Sequence, residues 1–135
     1  MSFESGLEAR LRANPVILQQ TAGRIGWSKR FPALPGISLQ KVSDARPQHM
    51  KGPQPVRPTG VQIDIWASTP AAAAQLRELV IGSISGSALV DGVQFQRGLI
   101  SNVRAGPERQ QGPATQRIGA EIYNESIDVT LWHNG

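Results

Sequence analysis

The sequence predicts an α+β two-layer sandwich, a mainly antiparallel four-stranded sheet with two main helices on one face. Three observations carry that expectation. Val61-Gln62-Ile63-Asp64-Ile65-Trp66-Ala67 alternates strictly, so Val61, Ile63, Ile65 and Ala67 share one face and Gln62, Asp64 and Trp66 the other. Phe3, Leu7 and Leu11 recur every four residues, the stripe of an amphipathic helix. Helical and alternating segments then follow in the order helix, two strands, helix, two strands. No internal repeat divides the 135 residues, which suit one domain over 1–135 with a single modest core.

Each element has its own signal. Ser2 is placed to cap the first helix, Glu4 complements its N-terminal dipole, and Asn14-Pro15 ends it. Val16-Ile17-Leu18 reads as a short apolar turn beneath the sheet. Gly23 to Gly36 reads as irregular, broken by Pro32 and Pro35, with Trp27 and Phe31 as anchors. Ile37 to Val42 is the first strand, Ile37 and Leu39 inward, and Val61 to Ala67 returns antiparallel to it. Thr69-Pro70 starts the second helix, a cap followed by proline at the first helical position. Ala72, Leu76, Leu79 and Val80 line one face of that helix, and Gly82 and Gly86 end it. Asp91-Gly92 signals a tight turn into a third strand running from Val93 to about Val103. In the last strand Ile118, Ala120 and Ile122 hold even positions but Ile127, Val129 and Leu131 odd ones. That change of phase implies a bulge or a break near Asn124 to Ser126. Long polar loops are expected at about 44–60 and 105–115.

Composition narrows the function classes. The chain has no cysteine, which removes disulfides and thiolate chemistry, and no apolar run near the roughly 20 residues of a membrane helix. Its first residues carry acids and lack the apolar core of a signal peptide. The net charge is +4, yet the fourteen basic residues are scattered and aromatics are few, a poor pattern for gripping nucleic acid. His49 and His133 stand in no metal-ligand spacing, and no nucleophile elbow or phosphate-cradling loop occurs. Gly82-Ser83-Ile84-Ser85-Gly86 reads as a helix end with a flexible turn. No enzyme, metal or cofactor is expected, and a small hydrolase is the weakest reading.

A binding or assembly module remains. The loop Asp44 to Gly60 is basic and proline-broken, so Arg46, His49, Lys51 and Arg57 are candidates for a subunit or partner interface. Asp64 and Trp66, on the polar phase of the neighbouring strand, complete the set. A tryptophan there is either covered by a loop or presented to a partner.

Arg46-Pro47-Gln48-His49, Lys51-Gly52, the Val61–Ala67 strand and the helix after it carry a further likeness. In their order and setting the chain resembles the tail-completion (tail-terminator) family of long-tailed phages and gene-transfer agents. Most of the chain fits that family's order of elements, from the first helix to Leu131-Trp132-His133. The resemblance implies a structural virion protein assembled in the host cytoplasm and located at the tail neck. It would be a homo-hexameric ring that ends tube polymerisation. Its partners would be the tail tube protein and a head-side connector or stopper protein, with DNA passing through the bore without sequence-specific binding. A head-closure or adaptor protein of the neck is the nearest alternative, and a basic nucleic-acid-binding regulator a more distant one.

Overall fold

The computed structural model describes residues 3–28, 35–44, 48–49, 52–53, 56–90, 93–96, 98–107 and 123–134. Among the described residues, three helices, α1 (Phe3–Arg12), α2 (Pro15–Thr21) and α3 (Pro70–Ile84), accompany nine strands. These are β1 (Ile25–Trp27), β2 (Gly36–Asp44), β3 (Gln48–His49), β4 (Gly52–Pro53), β5 (Arg57–Ala67), β6 (Ala88–Val90), β7 (Val93–Phe95), β8 (Leu99–Pro107) and β9 (Tyr123–His133). Seven strands form one sheet in the order β1-β2-β5-β9-β7-β6, with β8 also on β9, while β3 and β4 make a separate ribbon. The sheet is mixed, because β1 lies parallel to β2, and it curls into a half-barrel.

This corrects the expected four-stranded, two-helix sandwich. The misjudged segments are short or interrupted ones, where pattern carries least. Asn14-Pro15 ends α1 as expected but also starts α2. The Asn14 Oδ1 accepts from the Val16 and Ile17 N–H groups at 3.0 and 3.3 Å, and Pro15 occupies the first helical position, which has no need of its missing N–H. Ala22 (φ 51°) and Gly23 (φ 79°) close α2 in the left-handed region. Within the stretch read as irregular, Ile25–Trp27 adds a strand to β2 with Ile25 beside Ile37.

The expected third strand is two. β7 and β8 are separated at Gly98, where an added Cβ would sit 2.7 Å from the Ile84 carbonyl oxygen. The end of α3 thus passes directly over the chain there, and only glycine fits. β6 and β7 pair with Val90 opposite Val93, on either side of Asp91-Gly92, which lies outside the described residues. β9 runs against β5 without interruption from Tyr123–Ala67 to His133–Arg57, so neither the bulge nor the break inferred at Asn124–Ser126 occurs. Register shifts occur instead at Lys41/Ser43 in β2 and Ile100/Asn102 in β8. Ile118, Ala120 and Ile122 lie outside the described residues. Strand runs into the edges of both expected loop ranges, since β2 reaches Asp44, β5 starts at Arg57 and β8 reaches Pro107, while residues 108–115 lie outside the described residues. Pro58 is accommodated because the β2 pairing stops at Asp44–Thr59, leaving β5, among the described residues, a single neighbour beyond that point.

The core follows the alternation. Ile37 and Leu39 of β2, Val61, Ile63, Ile65 and Ala67 of β5, and Ile127, Val129 and Leu131 of β9 are all buried on one face. Leu39, Ile63, Ile127 and Val103 form one cross-strand row of it. Phe3, Leu7 and Leu11 of α1 and Ala73, Leu76, Val80 and Ile84 of α3 pack on that face. Ala73 and Ile84 join Leu76 and Val80 as the buried residues of α3, Leu79 packs partly buried against the same core, and the helix continues through Gly82, where its end was expected, to Ile84. Arg10 is buried with them. Its guanidinium donates to the Gly86 carbonyl beyond α3 and lies 5.4 Å from the Phe95 ring centre, and burial lowers its pKa. Among the described residues, no helix is long and apolar enough to cross a membrane.

Candidate assembly surface

The helices cover one face of the sheet, which leaves the even-numbered side chains of β5 and β9 on the other. Antiparallel pairing sets Gln62 opposite Asp128, Asp64 opposite Ser126 and Trp66 opposite Asn124. The result is a closed polar network. Gln62 Nε2 donates to both Asp64 oxygens, at 3.1 and 3.2 Å, and Ser126 Oγ also donates to Asp64. Asn124 Nδ2 reaches the Ile65 carbonyl at 3.5 Å. One strand further out, Arg104 on β8 pairs with Asp128 at 3.2 Å and Ser101 donates to the Asp128 carbonyl at 3.1 Å. Asp64 thus accepts from two side-chain donors, Gln62 and Ser126, on the same face.

Beside this network is a shallow depression of about 370 Å³, lined by Val42, Gly60, Gln62, Arg104, Asp128 and Thr130 among others. Gly60 lines it, and a Cβ at that position would stand 2.5 Å from the Ser43 hydroxyl. Apolar side chains surround it. Val42 is 63% exposed, Leu99 64% and Trp132 41%. Leu99 faces Thr130, and Trp132 faces Pro58, so both belong to the same outer face. Sequence reasoning singled out Trp66 there and passed over Trp132. The same signal was present, an aromatic residue on the polar phase of an alternating strand.

The predicted interface residues separate. Asp64 and Trp66 stand together on the outer face, half-buried, with the Trp66 indole nitrogen turned out of solvent. Arg57 lies towards the other end of β5, on the helix-side phase, with its Nε 3.3 Å from Asp44 Oδ1. His49 belongs to β3, opposite Gly52 in the ribbon. Arg46 and Lys51 fall outside the described residues.

Arg57 belongs to a second cluster, at the end of the sheet where α1 begins. Lys41 pairs with Glu4 and lies 3.8 Å from Asp44, so Glu4, Lys41, Asp44 and Arg57 form a chain of alternating charge. The Lys41 hydrogen bond holds the Glu4 carboxyl below its usual pKa. Beneath the chain, Thr59 Oγ1 lies 3.1 Å from Asp44 Oδ1 and 2.6 Å from His133 Nε2. Asp44 can only accept, so the one Thr59 proton goes to it and His133 Nε2–H donates to the Thr59 oxygen. The buried His133 ring stacks on Phe3 with centres 4.0 Å apart. Burial, then the charge of Arg57, depress its pKa from 6.5 to about 4. The cluster ties the start of α1 to the end of β9. Among the described residues, no group of three or more His, Asp or Glu side chains could hold a metal ion.

No protein-family model matches this chain, and no curated protein matches it in sequence. Among solved structures, its fold is similar to that of a chain in the "Virion of native gene transfer agent (GTA) particle". The TM-score is 0.71 at 11% sequence identity, over 99% of this chain and 96% of that one. At that identity the likeness is one of fold.

Proposed function

We propose that this chain is a structural component of a phage-like particle, and more narrowly a tail terminator. In this reading it forms a ring, hexameric in the resembling family, at the head-proximal end of a tail tube. The ring ends tube growth and meets a head-side connector or stopper protein. The observation that carries the reading is the end-to-end fold likeness to a chain of a gene-transfer-agent virion. It agrees with a resemblance reached independently from residues 46–67. The outer sheet face is compatible with it, being a polar network of satisfied groups flanked by exposed Val42, Leu99 and Trp132. Such a surface suits protein contact better than catalysis, and we assign the chain no chemical step. A nucleic-acid-binding role draws no support from the described surface, where Arg104 is paired with Asp128 and Arg57 with Asp44.

Two measurements test the proposal together. Light scattering on the purified protein should give a closed oligomer or a monomer–oligomer equilibrium. Particles assembled without the protein should show tails of uncontrolled length, or tails and heads that fail to join. Normal particles assembled in its absence would refute the role.

A further inference from the structure

We infer that the sheet continues from one copy of this chain to the next, the outer edge of β8 pairing antiparallel with the open half of β2 in a second copy. Two open edges motivate this. β8 is nine residues long and, among the described residues, pairs only with β9. Ser101, Asn102, Val103 and Arg104 are all exposed, so both faces of that strand meet solvent. On the opposite side of the sheet, β1 covers β2 only from Ile37 to Leu39. Gln40, Lys41, Val42 and Ser43 are exposed, and nothing among the described residues pairs with them on the side away from β5. Backbone N–H and C=O groups along such edges call for an extended peptide, which alone can match their alternation.

The geometry selects a second copy as that peptide. β2, β5, β9 and β8 are neighbours in that order, each antiparallel to the next, so β8 runs opposite to β2. A copy generated by rotation about an axis along the strands keeps every strand direction. Its β2 therefore arrives antiparallel to β8, and the alternation continues unbroken. The two edges also stand at one height. Gln40, Gln62, Asp128 and Asn102 form a single cross-strand row, as do Lys41, Val61, Val129 and Ile100. No rise along the strands is needed, which is the condition for a head-to-tail contact to close into a ring instead of a filament. Charge does not oppose the contact. Arg104 is neutralised by Asp128, and Lys41 and Asp44 by partners within the chain. The curl of the sheet supplies the curvature that closure needs.

This inference rests on the ring reading above, and amide hydrogen exchange on the full chain separates the two. Concentrated and dilute protein are compared, with light scattering reporting the oligomeric state of each. On assembly, amides in residues 40–44 and 99–107 should slow together by about tenfold or more, while those of β5, paired on both sides already, change little. An oligomer in which both segments exchange as they do in the monomer would overturn the edge pairing and leave the ring reading standing. A chain that stays monomeric at every concentration would overturn both.

Discussion

His133 gives the fold a pH dependence whose size follows from its surroundings. The ring is buried between Phe3 and Thr59, and its pKa falls from 6.5 to about 4, first through burial and second through Arg57. The folded-state value is the lower one, so between these limits the unfolded chain binds the extra proton and stability falls with falling pH. The contribution is fully present above pH 6.5 and is lost as pH drops towards 4. Linkage puts the loss at about 2 kcal/mol between roughly pH 7.5 and pH 5, and about 3 kcal/mol once the folded ring has titrated. Glu4 is held below its usual pKa by Lys41, so its protonation falls below the upper part of that window and the two effects are separable. Urea denaturation of the wild type and of His133→Gln, at intervals from about pH 7.5 to pH 5, measures the slope. The variant keeps an N–H donor for Thr59 but cannot titrate. It should be less stable at neutral pH, through loss of the stack on Phe3, yet nearly flat across the window. Equal slopes for the two proteins, or a flat wild type, would show that His133 does not carry the effect.

The remaining predictions concern packing and local structure. Gly82→Ala should stabilise by about 1 kcal/mol in thermal melts, because the position is exposed inside α3 and an added Cβ meets nothing within 4 Å. Gly98→Ala should destabilise, because the same atom would strike the Ile84 carbonyl at 2.7 Å and Leu131 Cδ2 at 3.0 Å. Asn14→Ala removes the cap of α2 and its 3.2 Å bond to Ser83, for a loss of about 1 kcal/mol of stability, read as a lower denaturant midpoint at unchanged m-value. Ile63→Ala should cost about 2–5 kcal/mol through a core cavity. Trp66→Ala, on the opposite face, should weaken assembly more than the fold, by about 2 kcal/mol or more at the interface, as read by light scattering beside melts. If Trp66→Ala melts as early as Ile63→Ala while the protein still assembles, Trp66 is core.

The parts of the fold legible in sequence are those where many residues repeat one period. β5 declared both faces through seven alternating residues, and α1 its stripe through Phe3, Leu7 and Leu11. Lone or short signals failed. Ile25–Trp27 has three residues and no alternation to read, and only its place beside Ile37 makes it a strand. Asn14-Pro15 was readable as a stop but equally as a cap, and the difference lies in whether Val16 and Ile17 turn their N–H groups back to Asn14. Val93 to Val103 looked continuous because Gly98 signals a break only once the end of α3 is known to pass over it. The candidate surface was legible by face but not by membership. Arg57 shares the proline-broken segment with Arg46 and Lys51, yet it sits in β5, and the partner that holds it, Asp44, was visible in sequence only as the boundary of a loop.

Charge, sorted by position, adds a constraint on how the chain meets its partners. The described residues hold seven basic side chains (Arg10, Arg12, Arg24, Lys41, Arg57, Arg77 and Arg104) and seven acidic ones (Glu4, Glu8, Asp44, Asp64, Glu78, Glu125 and Asp128), a balance of zero. The other seven basic residues and three acidic ones give 7 − 3 = +4, the whole net charge of the chain. They lie in the sequence connecting β1 to β2, β2 to β5, β6 to β7, β7 to β8 and β8 to β9. Within the body, Arg12 pairs with Glu8, Arg77 with Glu125, Arg57 with Asp44 and Arg104 with Asp128. The sheet and helices therefore offer a neighbouring copy a surface with little charge to repel it. Attraction to an acidic partner has to come from the connecting sequences, Arg46 and Lys51 among them. Coulomb attraction across water is screened beyond about a Debye length, whereas strand pairing and apolar contact are not. Contacts between copies should accordingly tolerate salt, and contacts made through the connecting sequences should weaken as salt rises.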